Sequence, residues 1–316
     1  MNVQLSEVVF CNPKVAELKQ SAEDLGRSAY SLVVKVERTI LSAGTEISIL
    51  SGEWGQSVRF PFSPKAMATG RIVHMGTAAS QIRRDLHVDD RVLLKGRHSS
   101  FVEASVLTDP IVKLDGDTSD EAALLARLAR LVERAASLCD QKDARILVLG
   151  LGLVGQLLVR ACRSKSYKNV TAFDPHPKRR AQAKLDSYCV LETRAYPESD
   201  FVFVANSSVD AVQQGLVTLA KNGRLILLGA TRGSPPIDLA HTVFRRNIVI
   251  QGAHEQFLIA GSDAEDELLR TARLIDDREI ETSGLIKNLD SRGLPSLYKD
   301  GLSCKDEYIG IVVNWC

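Results

Sequence analysis

Three glycines and one aspartate carry the most specific chemistry in the sequence. Gly150-Leu-Gly152-Leu-Val-Gly155 follows the apolar run Arg145-Ile-Leu-Val-Leu149 and opens the helical stretch Gln156-Leu-Leu-Val-Arg-Ala161. Alone, a G-x-G-x-x-G triplet is common in turns. Between a strand and a helix each glycine has a use: the first permits a tight turn, the second lets the backbone approach a pyrophosphate, and the third lets helix and strand pack closely. Leu153 and Val154 then fall on the first turn of a helix whose open N–H groups and partial positive charge suit an anion. About 20 residues on, where such a loop needs an acid, Val170-Thr-Ala-Phe-Asp174 ends in a carboxylate. It can bond both ribose hydroxyls of NAD and repel a 2′-phosphate. Lys178-Arg179-Arg180 follows, and Arg179 could receive that phosphate or belong to a solvated helix start. The chemistry expected is binding of NAD, with NADP the less favoured nucleotide.

The elements that must hold these residues can be read around them. From Arg145 to Gly252, apolar runs at Ile146–Leu149, Val170–Phe173, Cys189–Leu191, Phe201–Ala205, Leu225–Leu228 and Ile248–Gln251 alternate with helical stretches. The first, fourth and fifth are almost wholly apolar, as strands buried on both faces are, and the pattern predicts a doubly wound α/β unit. Before about residue 115 the text is strand-like, with Ser31–Ile40, Gly70–Met75, Arg91–Lys95 and Phe101–Leu107 bounded by turn residues. Thr118-Ser119-Asp120 can cap a helix through Leu138, and a helix over Glu265–Ile275 and a strand over Ile309–Asn314 close the sequence.

Composition narrows the classes. The 316 residues suffice for two domains, and a formal charge of +1 gives no field to draw the chain onto nucleic acid or an anionic membrane. No apolar run approaches the ~20 residues of a membrane span, and the start, Met-Asn-Val-Gln-Leu-Ser-Glu, has neither the basic nor the apolar part of a secretory signal. The six cysteines (Cys11, Cys139, Cys162, Cys189, Cys304, Cys316) form no C-x-x-C pair and read as reduced thiols. A cytoplasmic location follows as an expectation.

The order of parts resembles the medium-chain dehydrogenase/reductase superfamily, from about residue 30 to 314. Ser42-Ala-Gly44-Thr45-Glu46 is similar to its G-[IV]-C-G-T-D segment, and Pro61-Phe-Ser-Pro64-Lys65-Ala66-Met67-Ala68-Thr69-Gly70 with Ile72-Val73 to its P-x-x-P-G-H-E-x-x-G-x-V segment. Asp89-Asp90-Arg91-Val92 resembles its G-D-R-V, His98-Ser-Ser-Phe101-Val-Glu103 its A-E-Y-V region, and Asn222-Gly223-Arg224-Leu-Ile-Leu-Leu-Gly229 its strand ending in glycine. Gly284-Leu285-Ile286 resembles the late L-I-T-H turn, with Asn288 at the histidine position. The Ser-x-Gly-Thr-Glu stretch and the closing Ile-Val-Val-Asn-Trp315 are also similar to the bacteriochlorophyllide a dehydrogenase branch, which oxidises a hydroxyethyl group.

The resemblance implies a Rossmann doubly wound parallel sheet, 118–254, inserted in a split β-rich GroES-like catalytic domain formed by 1–117 with 255–316. It also implies contacts to the cofactor ribose from Asn206 and Ser207, unless these form a plain loop, and a nucleotide-side Gly229. It breaks at the family's catalytic zinc, which needs a thiolate, an imidazole and a third ligand. Those positions read Ala43, Ala66 and Met67, and the four-cysteine lobe is missing. The expectation is a member without zinc. Chemistry then falls to Thr45, which could hydrogen-bond cofactor or substrate, to Glu46, which could relay a proton, and to Lys65, which could polarise a carbonyl if buried. A capped turn before a helix at Ile47–Leu50 and an exposed loop lysine are the plainer alternatives. His98 could act as acid or base or be a loop histidine bonded to backbone. Arg127, Arg130 and Arg134 could receive an acidic substrate or form a solvated face.

The activity expected is hydride transfer between nicotinamide and a small carbonyl or alcohol. The alternatives are an enoyl- or quinone-type C=C reductase and a cofactor-binding protein without turnover. A small-molecule substrate, no nucleic acid, no membrane, and a homodimer joined along an edge strand at Phe244–Gly252 complete the expectations.

Overall fold

The computed structural model describes residues 1–53, 58–184, 189–254, 264–301 and 309–315. The chain divides into two compact units, one of Met1–Ala126 with Leu268–Asp276 and Ile286–Cys316, the other of Arg127–Glu267 with Asp277–Leu285.

The first unit begins with an antiparallel hairpin, β1 (Asn2–Asn12) and β2 (Val15–Asp24). The hairpin lies outside the strands expected above: β2 reads Val-Ala-Glu-Leu-Lys-Gln-Ser-Ala-Glu-Asp and lies largely exposed, with little apolar alternation to mark it. Next come β3 (Ser31–Leu41), α1 (Ala43–Leu50), β4 (Lys65–Met75), the short α2 (Thr77–Ile82), β5 (Arg91–Arg97), β6 (Phe101–Ser105) and β7 (Ile111–Lys113). β3 is the hub of the sheet, pairing antiparallel with β4, with β6 and with the late strand Gly310–Asn314. That late strand pairs in parallel with Ile286–Asp290.

β3 also serves two cores. Leu32, Val34 and Val36 alternate into a cluster with Ala68, Ile72, Val92, Leu94 and Ile111. Leu41 joins another, with Val8, Phe10, Leu50, Leu297, Tyr298 and Val313. Burying each large aliphatic chain of this kind is worth about 1.5–3 kcal/mol. Thr39 lies along β3 between the residues of the two clusters. The Pro-Lys-Ala-Met stretch, expected as a loop, is instead strand: Lys65, Ala66 and Met67 open β4 opposite Arg97, Gly96 and Lys95 of β5. Lys65 is exposed at the start of β4, while Ala66 and Met67 are both buried.

The second unit holds a six-stranded, all-parallel sheet: β8 (Arg145–Leu149), β9 (Asn169–Phe173), β10 (Cys189–Val190), β11 (Ser199–Val204), β12 (Leu219–Leu227) and β13 (Val249–Gly252). Their spatial order is β10-β9-β8-β11-β12-β13. That is the doubly wound order 3-2-1-4-5-6, with the reversal between β8 and β11, where such sheets open a crevice at the carboxyl ends of the strands. Helix α3 (Asp120–Ala136) precedes the sheet, and α4 (Leu153–Ser164), α5 (Pro177–Lys184) and α6 (Val209–Thr218) connect its strands. Ile146, Leu147, Val148 and Leu149 are all buried, so β8 is covered on both faces, as its unbroken apolar run predicts. Ser119 caps α3 by accepting a hydrogen bond from Ala122 N–H at 3.1 Å.

Among the described residues, no helix is long and apolar enough to cross a membrane. Arg130 is not on a solvated face: it is buried, and with Arg134 it pairs with Glu267 of the helix Ala264–Asp276. Cys139 and Cys162 are buried free thiols, and burial pushes the Cys162 thiol up to about 12, which suits packing rather than nucleophilic chemistry. Cys11 is half-buried and Cys189 exposed, while Cys304 and Cys316 lie outside the described residues.

Candidate functional site

In the second unit, the strand β8 ends at Leu149 and the backbone turns on Gly150, whose φ of +104° lies where L side chains are strained. Gly150 N–H donates to the Phe173 carbonyl at the end of β9, at 2.8 Å. Gly155 admits no side chain at all, since a Cβ there would stand 1.8 Å from the Gly150 carbonyl oxygen. Gly152 is different. A Cβ there would meet nothing within 4 Å among the described residues, and its φ is an ordinary −70°. Neither packing nor backbone geometry explains the absence of a side chain at this position. Gly152 is also the cap residue of α4 and gives it no side-chain hydrogen bond. The first-turn N–H groups at Leu153 and Val154 are of the kind that α-helices leave without intrahelical partners.

Asp174 is bound into the same loop. One carboxylate oxygen accepts from Leu151 N–H at 2.8 Å and the other from His176 N–H at 2.9 Å, while the Arg179 guanidinium stands 3.5 Å away. Arg180 bonds the Asp174 and Pro175 carbonyls and so fixes the turn from β9 into α5. Asn206 spans the switch point: its Nδ2 donates to the Leu149 carbonyl at 3.2 Å and its Oδ1 accepts from Ser208 N–H at 2.9 Å. Beyond β12, Gly229 N–H donates to Val204 and Arg232 N–H to the Ser207 carbonyl. Gly150, Gly152, Leu153, Val154, Gly155, Asp174, Arg179, Asn206, Ser207 and Gly229 thus lie along the carboxyl ends of β8, β9, β11 and β12. The sequence reading missed Thr231, whose hydroxyl is buried here with no hydrogen-bond partner among the described residues.

The first unit contains a second arrangement. Thr45 is exposed at the start of α1, and Lys65 is exposed on β4, but Glu46 is turned into the core. Its carboxylate accepts from Ser42 N–H at 2.6 Å and from the Tyr298 hydroxyl at 2.5 Å, and His98 Nε2 lies 3.3 Å from each of its oxygens. His98 Nδ1 is 2.7 Å from Thr39 Oγ1, which accepts from Trp315 Nε1–H at 3.0 Å. The Tyr298 ring stands edge-on to Phe10 with centroids 5.0 Å apart. Burial pushes the Glu46 carboxyl up, but His98, the Tyr298 hydroxyl and Ser42 N–H outweigh it and hold it below the ordinary glutamate range. Burial and the Glu46 charge push the Tyr298 phenol well above its own.

His98 does lie in the turn between β5 and β6, as a loop histidine should, but its ring is satisfied by side chains rather than backbone. Thr39, His98 and Glu46 have the sequence of roles of a nucleophile, base and acid. Thr39 and His98 are fully buried, however, so no substrate carbonyl can reach the hydroxyl. Among the described residues no group of three His, Cys, Asp or Glu side chains converges to hold a metal ion.

No family model matches the chain. A curated relative, L-threonine 3-dehydrogenase of Caldanaerobacter subterraneus subsp. tengcongensis, is 29% identical over 127 residues, and the match covers 36% of this chain and 36% of that enzyme. This chain therefore aligns with only about a third of its curated relative. Among solved structures, galactitol-1-phosphate dehydrogenase from Escherichia coli superposes with a TM-score of 0.83 at 13% identity, covering 98% of this chain and 100% of that one. The fold is that of the medium-chain alcohol dehydrogenases. A dehydrogenase from Sinorhizobium meliloti, described as zinc-binding and solved with NADP bound, superposes with a TM-score of 0.77 at 15% identity, over 99% of this chain and all of the other. At these identities the likeness concerns the fold, and the chemistry must come from the residues of this chain.

Proposed function

We propose that this protein is an NAD(P)-dependent oxidoreductase that works without zinc and moves a hydride between nicotinamide and a small carbonyl or alcohol. The observation that carries the reading is Gly152: a position with no packing or backbone reason to lack a side chain, at the uncapped start of α4 on the carboxyl rim of a 3-2-1-4-5-6 sheet. A pyrophosphate lying against the loop would supply the reason. Asp174 shapes the loop through Leu151 N–H and keeps lone pairs for ribose hydroxyls. We assign NAD as the preferred nucleotide, with NADP admitted because Arg179 offsets the Asp174 charge. The bound nicotinamide supplies the hydride chemistry.

In the first unit, Thr45 is the residue we assign to hydrogen-bonding the substrate oxygen, and the exposed Lys65 ammonium to favouring negative charge there. Zinc has no place in the scheme because Ala43, Ala66 and Met67 occupy the ligand positions of the resembling segments and offer no nitrogen, oxygen or thiolate to it. The residues do not fit that metal. A homodimer is proposed through β13, an edge of its sheet, where Val249 and Ile250 are exposed beside Phe244; light scattering showing a monomeric mass would remove this part. The reaction is tested by incubating the protein with NADH or NADPH deuterated at the transferring carbon and matched ketone and enone panels. Deuterium on a carbinol carbon supports the reading, deuterium on the carbon β to an untouched carbonyl moves it to C=C reduction, and binding without any transfer removes the enzymatic assignment.

A further inference from the structure

The hydrogen bonds around Glu46 run one way. Trp315 Nε1–H can only donate, and it occupies one lone pair of Thr39 Oγ1. The Thr39 hydroxyl hydrogen then has His98 Nδ1 as its acceptor at hydrogen-bonding distance among the described residues, which leaves the ring hydrogen on Nε2, facing Glu46. The Tyr298 hydroxyl and Ser42 N–H also donate to Glu46. Every chain of donors in the network therefore ends on one carboxylate. An acceptor with three donors around it is arranged to hold its neighbours, not to take up a proton. What it holds is specific: Ser42 precedes α1, its own side chain makes no cap, and its N–H is bonded to the Glu46 carboxylate. Ser42 to Thr45 form the turn that presents the exposed Thr45.

We propose that His98 and Tyr298 are positioning residues which act through Glu46 to fix the Ser42–Thr45 turn, and with it the Thr45 hydroxyl, for the substrate. This rests on the assignment of Thr45 to the substrate oxygen made above. His98 comes from the β5–β6 turn and Tyr298 from the helix Leu294–Gly301, so the turn hangs on parts of the fold far from it in sequence. Loosening either partner frees the turn while leaving Thr45 chemically intact.

The test uses the full chain with Y298F, which removes one oxygen and keeps the ring against Phe10, and T39V, which removes the hydroxyl behind His98 at nearly constant volume. F10L is the comparison, because it weakens the same apolar cluster and breaks no hydrogen bond of the network. Hydrogen exchange is followed by peptide over residues 40–50 and 145–164, with NADH affinity by fluorescence, and kcat and KM on any carbonyl the panel yields. Loss of a donor to the charged Glu46 in Y298F, and of the hydroxyl that orients the His98 donor in T39V, predicts exchange over 40–50 faster by about tenfold in both. Exchange over 145–164 and NADH affinity should be unchanged, and kcat should fall about tenfold with KM for NADH constant. Wild-type exchange over 40–50 in both variants, or the same local rise in F10L, overturns the proposal. Should the wild type bind neither NADH nor NADPH, the hydride-transfer reading fails, while the exchange result still decides whether His98 and Tyr298 hold the turn.

Discussion

Glu46 and Asp174 are each only 2% exposed, and the two units keep their buried carboxylates in different ways. Asp174 is held by backbone: the N–H groups of Leu151 and His176, with Arg179 beside it, all within 23 residues. Glu46 has one backbone donor and otherwise depends on His98 and Tyr298, 52 and 252 residues away. A carboxylate bonded to the N–H groups of a glycine loop shapes that loop from within and stays at its rim. A carboxylate bonded by side chains from distant elements ties a core together. The same buried charge thus organises a ligand-facing loop in one unit and a network closed to solvent in the other.

The largest effect that would sharpen this contrast is on the loop itself. Gly155→Ala forces a Cβ onto the Gly150 carbonyl and should cost at least about 3 kcal/mol, so that circular dichroism shows the second unit unfolding at lower urea; an unchanged midpoint would mean the loop is more pliant than described. Asp174→Ala comes next. It strands the Leu151 and His176 N–H groups, and nucleotide affinity measured by calorimetry should fall about a hundredfold.

Glu46→Gln works on the other unit. Because the folded Glu46 carboxyl sits below its ordinary value, it contributes stability that is present above pH ~4.5 and is lost as the pH falls through its lower folded value. Melting curves between pH 7 and 3 should show Glu46→Gln about 5 °C lower at pH 7, with a shallower acid limb and nucleotide affinity untouched. The smallest effect is expected of Arg179→Ala: NADPH binding weaker by about tenfold and NADH within about threefold, in parallel titrations. Equal losses for both nucleotides would give Arg179 a purely structural part.

The same contrast explains what could be read beforehand. The glycine loop, Asp174 and the alternation of strand and helix were legible because their signals lie within about 25 residues and depend on local spacing. β8 and β11 announced themselves as unbroken apolar runs. The Glu46 network was not legible, since nothing local marks Tyr298 or Trp315 as partners of Glu46 and Thr39, and His98 carried no signal beyond being a histidine in a turn. Lys65 to Met67 were expected in a loop because a proline precedes them, yet pairing with β5 makes them strand. Thr231 escaped because an unpaired hydroxyl becomes visible only once its burial is known.

The central claim is that a dinucleotide lies against Gly152, and Gly152→Ala tests it most directly. The added methyl meets no protein atom within 4 Å among the described residues, so the variant should melt at or slightly above the wild-type temperature. Fluorescence titration with NADH should nevertheless show affinity reduced about a hundredfold from a micromolar wild-type value, as a methyl enters the space of the pyrophosphate. Equal NADH affinity in the two proteins, or no binding of NADH or NADPH by the wild type, would contradict the account.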